Sequence, residues 1–254
     1  MLERFDLRSR SVAAGVHLLI SATIAAVAAL LVFGVWYPGA FRYLAGGRDL
    51  FLLVTSVDVI LGPVLTFAVF NRRKGWRHLR WDLTVIGILQ LAALVYGLYT
   101  VAAVRPIAMV FEVDRLRLVT ASDVPADDLR LAKAPYDKLS WTGPSLLGAR
   151  TPQPGAEKND ALFKALEGID VSSRPQFWQP YAQSRSAALA HSRPVAMLIK
   201  HYPAKADDAR RRLVDMGADE STARFLPAMA RSEWVAVLDA AGDVLGYLPL
   251  DGFF

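Results

Sequence analysis

Residues 51–70 read Phe51-Leu-Leu-Val-Thr-Ser-Val-Asp58-Val-Ile-Leu-Gly62-Pro63-Val-Leu-Thr66-Phe-Ala-Val-Phe70. This run is apolar and, at about 20 residues, long enough to form a helix across a ~30 Å hydrocarbon layer. It nevertheless contains one carboxylate and a Gly-Pro step, and the proline removes a helical N–H group. A charged side chain inside a bilayer costs a few kcal/mol or more, so it usually has a function or a specific partner.

Two further runs, residues 12–36 and 83–104, have the same apolar character, whereas no such run follows Arg105. The sequence therefore predicts an integral membrane protein with three transmembrane α-helices (12–36, 50–70 and 83–104), followed by a small α+β extracytoplasmic domain. The predicted divisions are a tail at 1–11, a membrane domain at 12–104 and a soluble domain at 105–254. The first run is too long for a signal peptide, and it ends in aromatic residues typical of an interfacial anchor.

Basic residues are distributed unevenly between the predicted loops. The N-terminal tail contains Arg4, Arg8 and Arg10, and the loop after residue 70 contains five basic residues (Arg72, Arg73, Lys74, Arg77 and Arg80). The loop between the first two spans contains only Arg42 and Arg48. The positive-inside rule therefore predicts a cytoplasmic N-terminus and a C-terminal domain on the opposite side of the membrane.

Charge and composition argue against several function classes. The first 104 residues contain 10 Lys and Arg against 5 Asp and Glu, whereas the remainder contains 19 of each, so the net charge of +5 belongs to the membrane half. This pattern fits anionic lipid headgroups as a partner rather than nucleic acid. The chain has no cysteine, which excludes disulfides and thiolate sites. It has no recognisable catalytic motif, so we expect no enzyme activity, metal or cofactor.

The polar residues within the spans can be matched by depth along antiparallel helices. At 1.5 Å rise per residue, Asp58 lies level with Tyr96, with Tyr99 slightly above, and Gln90 lies level with Gly62 and Thr66. We therefore predict hydrogen bonds from Tyr96 or Tyr99 to Asp58 and between Gln90 and Thr66, next to a kink at Gly62-Pro63. Asp58 could serve helix packing, recognition of a partner's helix, or catalysis. Packing is favoured over partner recognition, and catalysis is disfavoured because aspartyl chemistry needs a second carboxylate at the same depth.

The soluble half has mixed patterns. Strands are predicted at 107–113, 116–120, 195–200, 234–239 and 244–250, and helices at 158–167, before residue 190 and at 206–216. Both the first and the last hairpin are expected in one sheet, and residues 123–154 are expected to be a loop. An aromatic passage contains Arg174, Phe177, Trp178 and Tyr181. These four residues form either a periplasmic recognition patch or an anchoring core.

Several stretches together resemble the TfpX/TfpZ-type family of type IV pilin accessory proteins. They are Trp36-Tyr-Pro38, residues 57–66, Asp82-Leu83, Gln90, Tyr96-Gly97, Arg105-Pro106, Phe111-x-Val-Asp114-Arg115, Arg174-Pro175, Gln179-Pro-Tyr181 and Leu245-Gly-Tyr-Leu-Pro249-Leu-Asp251. The resemblance implies a non-catalytic inner-membrane chaperone for a cognate type IV pilin, major or minor, with other pilus-assembly membrane proteins as possible partners. A membrane-anchored sensor with a ligand-binding periplasmic domain is the alternative, although the predicted cytoplasmic parts are short for signal output.

Overall fold

The structure, a computed structural model, describes residues 7–70 and 75–254 and divides into two compact units. The helical unit contains the described residues up to Val35 together with Gly47–Ala103. The sheet unit contains Val104–Phe254 and, in addition, the segment Trp36–Gly46. Four of the basic residues behind the predicted orientation lie outside the described residues, namely Arg4, Arg72, Arg73 and Lys74.

Ten α-helices occur in the described residues: α1 Leu7–Leu31, α2 Phe41–Leu44, α3 Gly47–Ser56, α4 Gly62–Val69, α5 Trp76–Ala103, α6 Ala126–Leu131, α7 Ala156–Leu166, α8 Arg185–His191, α9 Val195–His201 and α10 Ala206–Asp215. Two π-helical turns, Val32–Trp36 and Val57–Leu61, extend α1 and join α3 to α4. The strands are β1 Pro106–Glu112, β2 Arg115–Thr120, β3 Ser145–Ala149, β4 Trp178–Pro180, β5 Arg193–Pro194, β6 Arg224–Met229, β7 Glu233–Leu238 and β8 Val244–Leu248.

Three helical stretches are long and apolar enough to cross a membrane, namely Leu7–Trp36, Gly47–Val69 and Trp76–Ala103. Most of their large apolar side chains are exposed, as Leu30 and Leu53 illustrate. A helix that exposes apolar side chains all round is stable only in an apolar solvent, so lipid is the natural environment of these spans. The predicted fold, three membrane helices followed by an α+β domain, is confirmed.

Close packing within the helical unit depends on small residues. The first helix, α1, packs against α4, whereas α5 packs against α3 and α4. A Cβ atom at Gly97 on α5 would overlap Cγ1 of Val54 on α3. The absence of a side chain at Gly97 therefore allows these two helices to approach closely, as small residues commonly do between membrane helices.

The sheet unit is built on one mixed sheet with the strand order β4-β3-β1-β2-β6-β7-β8, and β5 pairs with β6 outside this path. The β1–β2 hairpin and the β6–β7–β8 meander are antiparallel. Parallel pairs join β3 to β1 and β6 to β2. Both predicted hairpins thus belong to one sheet, as expected.

Two predictions about this unit are wrong, and the central strand β6 was not predicted. Residues 123–154 contain α6 and β3, and residues 195–200 form a helix, whose i, i+3, i+4 positions Val195, Leu198 and Ile199 are buried. Strand β6 contains Pro227, which lacks the N–H group that a sheet normally requires. Pro227 is tolerated because the strand that pairs with this edge of β6 changes there. Strand β5 pairs with residues 224–225, and strand β2 pairs with residues 228–229.

The segment Trp36–Gly46 completes a core on one face of the sheet. Leu44 of α2 is fully buried in a cluster with Leu226 and Trp234. The ring centroid of Phe41 lies 5.4 Å from that of Tyr247. The Leu44 carbonyl accepts a hydrogen bond from the backbone N–H of Arg231, with 3.1 Å between nitrogen and oxygen. The loop between the first two spans is therefore a structural part of the sheet unit.

Tyr37 and Arg105 support this segment close to the points where the spans end. Tyr37 directly follows the first span and is fully buried, and its burial raises the pKa of its hydroxyl above the usual value, although the charge of Arg105 opposes the rise. Arg105 itself follows the third span by two residues, and its Nε donates to the Ser140 carbonyl at 3.1 Å. The buried Tyr37 therefore lies within reach of the charge of Arg105, which is itself fixed by the Ser140 carbonyl.

Candidate functional site

The backbone of the second span changes its hydrogen-bond register at Asp58. Asp58 lies in the π-helical turn Val57–Leu61, directly before the Gly62-Pro63 step. In a π turn the carbonyl of residue i accepts from the N–H of residue i+5, which for Asp58 is Pro63, a residue with no N–H. The Asp58 carbonyl consequently needs a donor from another helix.

Gln90 on α5 supplies that donor. Its Nε2 donates to the Asp58 carbonyl oxygen at 3.1 Å. The approach is possible because residue 62 is glycine: a Cβ atom there would overlap the Gln90 amide and lie 2.9 Å from His17 Nε2. Gly62 therefore creates the space in which three helices bring polar side chains together.

His17 on α1 completes this polar cluster, which we define as His17, Asp58, Thr66 and Gln90. The His17 Nδ1 and Thr66 Oγ1 atoms are 2.5 Å apart, and Thr66 is buried. Each of the three spans therefore contributes at least one polar group at this level. Such interhelical hydrogen bonds fix the rotation of membrane helices about their axes.

One acceptor in the cluster remains unsatisfied. The Oδ1 atom of Asp58 is buried, and no described residue donates a hydrogen bond to it. Asp58 lines a cavity of about 160 Å³, together with the polar side chains of His17, Ser21, Thr55 and Gln90 and several apolar ones. Burying an acceptor without a donor lowers the stability of a fold by about 1–3 kcal/mol. The stability of this protein therefore gives no reason for the unpaired Asp58 oxygen.

The predicted partners of these residues are wrong in both cases. Tyr96 and Tyr99 are 72% and 70% exposed and donate nothing to Asp58, and Thr66 pairs with His17 rather than with Gln90. The count of depth placed Gln90 next to Gly62 correctly, but it placed Tyr96 level with Asp58, whereas the neighbouring Gly97 packs against Val54. It also ignored the rotation of about 100° per residue, which places Tyr96 on a different face from the buried Gly97. His17 was not among the predicted partners, although it lies five residues from the predicted cytoplasmic end of its span and Thr66 lies four residues from the same end of the second span.

The four aromatic and basic candidates in the sheet unit are all buried. Phe177, Trp178 and Tyr181 are 1%, 8% and 6% exposed. The Trp178 Nε1 donates to the Ser172 carbonyl, and the Tyr181 hydroxyl donates to the Gly242 carbonyl, each within 2.8 Å. Burial raises the pKa of Tyr181 to about 12. These side chains anchor the unit, and the alternative of an exposed recognition patch is wrong because none of them reaches the surface.

Arg174, the fourth candidate, is at the centre of a buried ion cluster. Its guanidinium donates to both carboxylate oxygens of Asp128 at 3.0 and 3.1 Å and to Asp160 at 2.6 Å. It also lies over the Phe177 ring, 5.0 Å from the centroid. The side chains of Arg174 and Asp128 are 2% and 7% exposed, so the cluster holds α6 and α7 to the aromatic passage rather than meeting a partner.

A family model described as fimbrial assembly protein FimB matches residues 5–46 of the chain. This range covers the first candidate span and the segment that completes the core of the sheet unit. No solved structure matches the chain with statistical significance.

Curated relatives from Dichelobacter nodosus extend the similarity to most of the chain. Two of them, named fimbrial assembly protein of serogroup I and of serogroup E1, are each 31% identical over 242 residues, which is 94% of this chain and 94% of theirs. A third, of serogroups C1 and C2, is 40% identical over 115 residues, or 45% of this chain and 88% of its own. Because the first two relatives align over almost their whole length, this chain belongs to the fimbrial assembly protein family.

Proposed function

We propose that this protein is a non-catalytic inner-membrane accessory protein that assists the accumulation or assembly of a cognate type IV pilin. The observation that carries the proposal is the 31% identity to fimbrial assembly proteins over 94% of both chains. The more specific role, that of a pilin chaperone, rests on the resemblance to TfpX/TfpZ-type accessory proteins, which stays a prediction.

The physical properties of the two units support this role. A type IV pilin before assembly is expected to have one apolar membrane helix and a head outside the cytoplasm. The helical unit offers an intramembrane cavity with an unsatisfied acceptor, and the sheet unit offers a folded domain on the same chain. A protein of this kind can contact a client both within the bilayer and outside it.

We further propose that the N-terminus lies in the cytoplasm and the sheet unit in the periplasm. The basic residues of the N-terminal tail and of the second loop support this orientation. A reporter enzyme that is active only outside the cytoplasm, fused after Phe254, should therefore be active. An inactive periplasmic reporter, together with an active cytoplasmic reporter at the same position, would contradict the orientation.

Gene deletion tests the functional proposal most directly. Deleting the gene should lower the cellular level of the pilin or the number of surface pili several-fold, and expression of the full chain should restore both. Quantitative immunoblotting and electron microscopy measure these two quantities. If pilin level and piliation are unchanged in the deletion strain, the protein has another role.

A further inference from the structure

The three membrane helices leave one side of their bundle open. Because α1 packs against α4 and α5 packs against α3 and α4, the cavity at Asp58 lies between the faces of α1 and α5. Small residues from both walls line it, namely Ser21, Ala25 and Gly87, and Thr55 and Asp58 form its floor. Small residues on facing walls allow the backbone of another helix to approach closely.

The polar residues at the base of this cavity between α1 and α5, which we call the α1–α5 opening, determine which chemical group can bind there. Asp58 Oδ1 is buried and accepts no hydrogen bond from the described residues, while the Asp58 carbonyl is already occupied by Gln90. A cavity of about 160 Å³ is large enough for one side chain, since engineered cavities of about 150 Å³ bind benzene. The best occupant is therefore a side chain or amine that fills apolar space and donates a hydrogen bond at its end.

We propose that the α1–α5 opening binds the transmembrane helix of the pilin as a fourth helix, with a hydrogen-bond donor of that helix on the Asp58 carboxylate. The identity of the occupant rests on the proposed function, whereas the need for a donor rests on the geometry of the helical unit. A donor within a low-dielectric site pairs strongly with a carboxylate, and this pairing selects one apolar helix among many.

Site-specific photo-crosslinking in native membranes tests the proposal with the full chain. A photoreactive amino acid is introduced at Ile24 or Leu94, which line the opening, and at the control positions Val27 or Val95, which are 63% and 58% exposed and do not line it. We expect the pilin, identified by mass spectrometry, to crosslink from the first pair roughly tenfold more than from the second pair. Equal yields, no yield, or a different membrane protein at Ile24 and Leu94 would overturn the proposal.

Two Asp58 variants separate recognition from packing. Asp58→Leu removes the acceptor and should lower the crosslinking yield roughly tenfold, whereas Asp58→Asn retains an acceptor oxygen and should retain most of the yield. Since the carboxylate has no described donor, both variants should accumulate in the membrane like the unmodified protein. Loss of the Asp58→Leu protein, or an unchanged yield from it, would contradict a recognition role.

The deletion strain distinguishes a failure of the proposed binding site from a failure of the proposed function. If deletion lowers the pilin level but the opening does not crosslink the pilin, the site is wrong and the proposed function remains. If deletion leaves the pilin unchanged, the proposed function fails, and crosslinking from Ile24 and Leu94 alone decides which helix occupies the opening.

Discussion

Leu44→Asp is expected to unfold the sheet unit while leaving the membrane spans in place. Leu44 is fully buried, and its cluster includes strands β1, β2, β6 and β7. Truncation of a buried leucine to alanine costs about 2–5 kcal/mol, and a buried carboxylate without a partner costs several kcal/mol more. That sum is comparable to the whole stability of a typical domain, about 5–15 kcal/mol.

Pulse proteolysis of the full chain in detergent, over a urea series, measures this effect. Leu44→Ala should shift the midpoint partially, and Leu44→Asp should make the sheet unit sensitive to protease even without urea. The neighbouring Tyr43 is 50% exposed, so Tyr43→Asp is a matched control that should remain resistant. If Leu44→Asp is as resistant as the unmodified chain, the first loop is not part of the core.

Arg174→Met is expected to lower the free energy of unfolding of the sheet unit by about 3–5 kcal/mol, because it leaves the Asp128 carboxylate buried without its bidentate partner. The same urea series measures the loss. Asp160 also pairs with Arg174, but its side chain is 53% exposed, so Asp160→Asn should cost about 1 kcal/mol or less.

A double variant tests the reason for this loss. Replacing both partners of a buried ion pair by apolar residues is often nearly neutral, whereas removing one partner is costly. Arg174→Met combined with Asp128→Leu should therefore recover most of the stability that Arg174→Met loses. If the double variant is as unstable as the single one, packing around Arg174 matters more than the unpaired charge.

In the sheet unit, the strands with an uninterrupted apolar or alternating pattern could be predicted from the sequence, and those without one could not. The hairpin strands β1, β2, β7 and β8 are continuous apolar or alternating runs joined by short turns, and they were recognised. Strand β6 was not predicted. It contains Pro227, and a proline is normally excluded from a central strand; here the strand has different neighbours on either side of the proline. The run Val195–His201 is apolar enough for either a strand or a helix, and its burial beneath the sheet selects the helix.

The membrane character, the number of spans and the depth of Asp58, Thr66 and Gln90 follow from the sequence alone, because length, hydropathy and rise per residue can be counted along one chain. The pairs between spans do not, since they depend on the rotation of each helix and on the π turn at Val57–Leu61. Tertiary structure alone decided that Gln90 meets the Asp58 carbonyl, that His17 meets Thr66 and that one Asp58 oxygen stays unpaired. It also decided that Leu44 belongs to the sheet core, because contacts between distant segments are set by packing, which no local pattern encodes.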